Sequence, residues 1–349
     1  MSTNSDDIVA AKGRWAEQPV LATPGFSHNN WNERDEVDSN FYKSRDTSDK
    51  YVRGSILGRG ASAVVFKVKR IADGKLFAGK TARDEQLSQE IDILSKFRHK
   101  HILKFIELHQ QGDALGVNIL VTELCTWGDL GEHIHHVSRG MGKMDILLVI
   151  SQIGDALAFI HRQNYYHADV KPRNILIRRK NPIYVVLADC ADCQVHGSEI
   201  YGGKNNLPKT GTYKFWSPEM AANSPHNGKE DDVWALGITL LNMMAQLPSM
   251  NITCTKKGNV RIDDVCKHAK QCTKHAQDLE TLNPKDRLVK LVGRMLARAK
   301  SGRITAPYCS LEAKKLLEGL DTDAQESQNQ GTEGLRIQSP EGFTPPSFW

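Results

Sequence analysis

Over residues 51–125, apolar and polar positions change places in short runs. SILGRGASAVVFKVKR reads as two strands joined by a glycine turn, and KLFAGKTA as a third. HILKFIEL and NILVTEL supply two more. One stretch breaks the rhythm: in DEQLSQEIDILSKF, Leu87, Ile91 and Leu94 recur at helical spacing, which predicts a helix. The pattern changes near residue 126. In MDILLVISQIGDALAFIH, Ile146, Ile150, Ile153, Leu157 and Ile160 form one stripe of an amphipathic helix. NILIRRKNPIYVVLAD predicts an apolar hairpin turned at Asn181-Pro182. VWALGITLLNMMA is apolar nearly all round and predicts a buried helix. The result is an α+β chain: a small strand-rich lobe over 51–125 and a larger helical lobe over 126–318.

The flanks lack such periods. Residues 1–50, rich in Ser, Asn and Asp, read as a disordered acidic extension with Trp15, Phe26 and Trp31 as docking anchors. Residues 319–349 read as a disordered acidic tail. Charge divides the same way. The net +5 is −3 in the extension, −4 in the tail and +12 over 51–318. A basic body fits the handling of anions, although an uneven solvated surface gives the same sum. Seven cysteines cannot all pair internally, which points to free thiols in a reducing compartment. The N-terminus has neither a basic leader nor an apolar core, so it does not read as a signal peptide. No run approaches the roughly 18 apolar residues of a spanning helix.

The first chemical feature is Leu57-Gly58-Arg59-Gly60-Ala61-Ser62-Ala63-Val64-Val65. Glycines let backbone approach a phosphate chain, and flanking strands hold the turn; a plain β-hairpin turn has the same composition. Lys80, on the following strand, can aim an ammonium at the same phosphates. Glu90 sits beside the helix stripe, either as that lysine's partner or as a solvated surface residue. The most informative cluster is Tyr166-His167-Ala168-Asp169-Val170-Lys171-Pro172-Arg173-Asn174, followed by Leu187-Ala188-Asp189. Asp169 can accept a hydroxyl proton, and Lys171 can neutralise phosphoryl charge. Asn174 and Asp189 offer oxygen ligands for Mg²⁺, brought together by the intervening hairpin.

With these residues the chain resembles the eukaryotic protein kinases from about residue 51 to 315. The loop pattern H-R-D-x-K-x-x-N stands as His167, Ala168, Asp169, Lys171 and Asn174, and D-F-G as Asp189-Cys190-Ala191. Gly211-Thr212-Tyr213-Lys214-Phe215-Trp216-Ser217-Pro218-Glu219 is similar to the segment ending in A-P-E. Asp232-Val233-Trp234-Ala235-Leu236-Gly237 looks like the start of the helix that anchors the catalytic loop. Arg303 matches the late arginine that pairs with Glu219.

The resemblance implies a two-lobed fold: a small antiparallel sheet with one main helix, then a mainly helical lobe. It implies ATP and Mg²⁺, with adenine between Val65 and Ala78 above and Leu176 below. Glu123 and Cys125 would supply backbone contacts, Asp129 would reach the ribose or a basic substrate residue, and Thr122 would stand as gatekeeper. Lys171 and Thr212 match the serine/threonine branch, so the expected partner is a protein with a Ser or Thr acceptor, with neither nucleic acid nor membrane. The general look of the chain leans toward the calmodulin-dependent and checkpoint-kinase branch. Cytosol is the default location and the nucleus the other option, since Arg178-Arg179-Lys180 is a short basic run.

Ala63 stands in place of the third glycine of the turn, and three further departures from the family pattern bear on activity. Ala168 replaces the arginine that grips an activation-loop phosphate, which implies no strict dependence on phosphorylation at Ser198 or Thr210. Cys190 replaces a phenylalanine that would stack in a column with Leu94, Phe105 and His167, and Ala191 replaces a glycine. These leave a catalytically weak pseudokinase scaffold as the alternative. A small-molecule phosphotransferase is a further rival, but those enzymes lack the GT…SPE segment and the DVWALG helix. Cys254, Cys266, His268, Cys272 and His275 have ligand types suited to zinc at a spacing that matches no recognised finger.

Overall fold

The computed structural model describes residues 50–60, 63–110, 118–137, 139–197, 211–251, 253, 260–299, 302–326, 337–340 and 342–343. Trp15, Phe26, Trp31, Ala61, Ser62, Ser198, Thr210 and Cys254 lie outside the described residues.

The alternating runs of the first lobe become β1 (Tyr51–Arg59), β2 (Ala63–Arg70), β3 (Leu76–Ala82), β4 (Phe105–Gln110) and β5 (Asn118–Thr122). They form one five-stranded antiparallel sheet in the order β1-β2-β3-β5-β4. Phe66, Val68, Ile119 and Val121 close its core with Tyr51. The run HILKFIEL is only partly strand: Ile102 instead makes an isolated bridge to Leu187 of the second lobe. Helix α1 (Asp84–Lys96) follows the period read from Leu87, Ile91 and Leu94. Its Leu87, Ile93 and Leu94 are buried in the same cluster as the helices of the second lobe, so α1 joins the two lobes.

The second lobe is built on α2 (Leu130–His135), α3 (Lys143–Arg162), α4 (Pro218–Ala221), α5 (Gly228–Met243), α6 (Ile262–Leu282), α7 (Arg287–Met295) and α8 (Ala306–Glu326). The α3 stripe Ile146, Ile150, Ile153, Leu157 and Ile160 is fully buried. Each such side chain contributes roughly 1.5–3 kcal/mol of burial free energy. α3 is long and apolar enough to cross a membrane, yet two-thirds of that stretch is buried within the fold, as expected of a core helix. A Cβ on Gly154 would come within 2.9 Å of the Ser310 backbone, so glycine lets α3 and α8 approach closely. α5 is buried nearly all round, as its composition predicts. Between α3 and α4 lie the two-residue strands β6 (Tyr165–Tyr166) and β9 (Gln194–Val195), which pair, and the hairpin β7 (Ile175–Arg179) and β8 (Tyr184–Leu187).

Two sequence expectations need correction. The segment 319–349 is not disordered from its start, because α8 continues to Glu326. Farther on, Ile337 packs on the main core, Asn283 exchanges hydrogen bonds with Gln338, and Ser339 bonds Gln246. The acidic run 321–326 carries no apolar stripe, which is why the helix was not legible there. The zinc reading also fails among the described residues. Cys272 packs against His268 at 3.5 Å, while His275 stacks on Phe343, and these ligand types do not converge within reach of one ion.

Candidate active site

The register of the sheet sets the upper wall of the cleft. Val65 opposes Lys80 across β2–β3, Gly58 opposes Val65 across β1–β2, and Ala78 opposes Thr122 across β3–β5. Gly58, Val65, Lys80 and the start of the segment 123–125 therefore border one space. Lys80 Nζ lies 2.8 Å from Glu90 Oε2 and 2.6 Å from Asp189 Oδ1. Glu90 is buried, so it is a partner to Lys80 and not a solvated helix residue. Burial raises its carboxyl to about 7, against the pull of Lys80. Burial alone would lower Lys80, but Glu90 and Asp189 outweigh it and hold the ammonium above its ordinary range. Asp189 is also buried in part, yet Lys80 holds its carboxyl below the usual range.

The lower wall is the loop from His167 to Asn174. Asn174 Nδ2 donates to the Asp169 carbonyl at 2.8 Å and to Asp169 Oδ2 at 2.9 Å. Lys171 Nζ sits 2.7 Å from the same Oδ2 and donates to Thr212 Oγ1 at 2.8 Å. Asp169 Oδ1 accepts from Thr212 N–H and Thr212 O–H, each at 3.1 Å. With its amide nitrogen committed to Asp169, Asn174 presents its oxygen at the other end. Asp189 exposes 42% of its side chain. Asn174 and Asp189 thus offer oxygen donors alone, a set suited to a hard cation such as Mg²⁺.

At the inner end, Thr122 is buried and donates to the Glu123 carbonyl at 3.3 Å. The Glu123 carboxylate accepts Lys104 N–H at 2.8 Å and pairs with Arg178 on β7, which ties the connector to the second lobe. Burial pushes the Cys125 thiol up to about 12, with Glu123 adding to it. Leu176 bridges Asp129, whose carboxylate caps α2 by accepting Glu132 N–H at 2.9 Å. Burial raises the Asp129 carboxyl.

Behind these residues is a set of buried anchors. Asp232 is 1% exposed. Its Oδ2 accepts from His167 N–H and His161 Nε2–H, both at 2.8 Å, and its Oδ1 accepts from Ala168 N–H at 2.9 Å. Ala168 has φ +67° and Gly211 φ +85°. A Cβ on Gly211 would meet the Ala168 carbonyl at 2.8 Å, so glycine is required where the two segments touch. Arg303 reaches both oxygens of Glu219, at 3.0 and 3.2 Å. Cys190, where the family pattern has phenylalanine, is fully buried in the main cluster with Leu94, and Phe105 packs against it. Sequence reasoning missed that Cys193 brings a second sulfur to the same place, within 4.8 Å of Cys190 and His167. The Cys190-x-x-Cys193 spacing was the available signal.

Comparison with known proteins gives the same outline. The protein kinase domain family matches residues 51–315. Serine/threonine-protein kinase ULK3 of Xenopus laevis is 31% identical over 195 residues, covering 53% of this chain and 39% of that protein. Serine/threonine-protein kinase PLK4 of Drosophila yakuba is 25% identical over 213 residues, covering 58% of this chain and 26% of that protein. The chain therefore spans well under half the length of these relatives, and they do not confirm the lean toward the calmodulin-dependent and checkpoint branch. A chain of the CAK complex from Chaetomium thermophilum, solved bound to ATP-γ-S, superposes with a TM-score of 0.61 at 20% identity, covering 75% of this chain and 90% of that one. A bilobal fold, an assembled lysine–glutamate–aspartate contact and a family match over most of the length agree: the chain belongs to the protein kinase domain family.

Proposed function

We propose that this chain is an ATP- and Mg²⁺-dependent protein serine/threonine kinase that transfers the γ-phosphoryl group to a Ser or Thr hydroxyl of a protein. The observation that carries this reading is Lys80 held by both Glu90 and Asp189, across the cleft from an Asp169 bonded to Lys171, Thr212 and Asn174. The charged groups that phosphoryl transfer asks for, Lys80, Glu90, Asp169, Lys171 and Asp189, are all present in the sequence, which supports this reading.

In this reading Lys80, fixed by Glu90, contacts the α- and β-phosphates, and the turn 57–65 covers them. Val65, Ala78 and Leu176 enclose adenine, while Glu123 and Cys125 offer backbone groups to its edge. Asp129 serves the ribose or a basic substrate residue. Asp169 orients the acceptor hydroxyl and takes its proton. Lys171, already 2.8 Å from Thr212 Oγ1, neutralises charge on the group in flight. Asn174 and Asp189 would hold Mg²⁺, which supplies Lewis-acid neutralisation of the phosphate oxygens when bound. Positioning and charge stabilisation supply most of the rate, since the reaction asks little covalent chemistry of the protein. Ala168 offers no guanidinium to an activation-loop phosphate, so activity does not strictly require one. Free cysteines fit a reducing cytosolic setting.

The pseudokinase scaffold is the second reading, and Cys190 and Ala191 are its basis. The support for activity is that Asp189 nonetheless stands against Lys80. A degenerate peptide library offered with Mg·ATP decides between them. Labelled Ser and Thr peptides with blank Tyr peptides support the kinase, and a blank library despite ATP binding supports the scaffold.

A further inference from the structure

Cys190 and Cys193 are the ends of a single 3-10 turn that follows Asp189 directly. Cys193 N–H donates to the Cys190 carbonyl at 3.2 Å. A turn closed by such a bond brings its end Cα atoms within about 7 Å, and disulfides span Cα separations of about 4.4–6.8 Å. The two sulfurs and a ring nitrogen of His167 all lie within 4.8 Å of one another, and all three residues are buried. Asp189, the preceding residue, exposes 42% of its side chain to the cleft.

Two thiols and an imidazole could also hold a soft metal ion. The imidazole argues against this. Its Nε2 donates to the Ala188 carbonyl at 3.0 Å and its Nδ1 accepts Asp169 N–H at 3.3 Å. A metal would have to break one of these bonds and find a fourth ligand besides these three. A dithiol needs neither.

We propose that Cys190 and Cys193 are a thiol modification site, forming a reversible disulfide when the protein meets a hydroperoxide. One sulfur takes an oxygen from hydrogen peroxide to give a sulfenic acid and a water. The second thiol attacks that sulfur, the S–OH bond breaks, and the hydroxyl leaves with the thiol proton as a second water. Two thiols and one peroxide thus give one disulfide and two waters. A dithiol reductant returns two electrons and two protons and leaves as its own disulfide.

Closing the bond brings the sulfurs to about 2.05 Å. Cys190 is linked to Asp189, and the Cys193 carbonyl accepts Gln89 Nε2 at 2.9 Å, one residue before Glu90. Closure therefore pulls on the segments that carry both carboxylates around Lys80, and oxidation lowers phosphotransfer. That activity readout rests on the kinase reading above; the covalent change does not.

The test titrates the full chain with hydrogen peroxide, blocks free thiols by alkylation, and follows the tryptic peptide 181–204, which holds Cys190, Cys193 and no other cysteine. The expected result is loss of two hydrogens in that peptide at peroxide levels no higher than those that oxidise the half-exposed Cys266. Oxidation should lower phosphotransfer at least tenfold, and dithiothreitol should restore both thiols and the activity together. Cys193→Ser should remove the peptide change and the reversible drop. If both thiols remain alkylatable while Cys266 oxidises, the proposal is overturned. It is equally overturned if each sulfur proceeds separately to a sulfinic acid, or if the protein purifies with one equivalent of metal that Cys193→Ser releases. Disulfide formation in a protein that transfers no phosphate in either state supports the site and removes the kinase reading instead.

Discussion

Asp232→Asn keeps the size of a buried side chain on which three donors converge. The best an amide can do is place its oxygen where Oδ2 stands, keeping His167 N–H and His161 Nε2–H, which now bond at 2.8 Å. Its NH₂ then faces Ala168 N–H, which loses the acceptor it has at 2.9 Å. An unsatisfied buried donor costs about 1–3 kcal/mol, and turning two charge-assisted bonds into neutral ones costs about 1 kcal/mol each. The expected destabilisation is about 3–5 kcal/mol, out of a total near 5–15 kcal/mol for a domain. It should appear as a drop of roughly 10 °C in Tm and as a lower denaturant midpoint at constant slope. Because the lost bond belongs to the residue just before Asp169, kcat should fall at least tenfold, about 1.4 kcal/mol in the barrier, with a smaller change in KM for ATP. A variant within about 1 kcal/mol of wild type with unchanged kcat would show that Asp232 does not hold the loop through these bonds.

Three further outcomes follow from the same contacts. Arg303→Ala leaves the Glu219 carboxylate without its buried partner and should cost about 3–5 kcal/mol in a urea titration; a loss under about 1 kcal/mol contradicts this. Burial holds His101 and His268 down to about 4, below the ordinary value near 6.5. The unfolded chain then takes up protons first as pH falls, so their stability contribution is full above about 6.5 and is lost toward about 4. The urea midpoint should fall from pH 7 to pH 5, and less so in a His101→Gln, His268→Gln double variant; equal falls sink the idea. Ser198→Ala and Thr210→Ala should each change activity less than about threefold, a shift below ~0.7 kcal/mol, in a peptide assay, and a hundredfold drop would show that loop phosphorylation matters despite Ala168.

Elements defined by local periodicity were the readable part of this chain. The α3 stripe, the Asn181-Pro182 hairpin and the all-apolar α5 follow from spacing, because one face or every face must leave water. The charged residues of the site were readable as motifs, in order along the chain. What spacing could not show was which groups meet. Glu90 was ambiguous on its helix, and only the fold brings it to Lys80. The Thr212 contact to Asp169 closes across 43 residues, and no local pattern encodes it. Cys193 reads as an ordinary thiol until the turn sets it beside Cys190 and His167. The docking of Ile337–Ser339 was missed because a short segment held by a few polar bonds and one apolar side chain carries no period.

Initial rates of γ-phosphoryl transfer from Mg·ATP for wild type beside Asp169→Asn decide whether this cleft transfers phosphate. Wild type should transfer measurably to serine or threonine, and the variant should fall at least a hundredfold, about 2.7 kcal/mol in the barrier, at similar ATP affinity. Equal rates in the two proteins, with ATP bound by both, would contradict this.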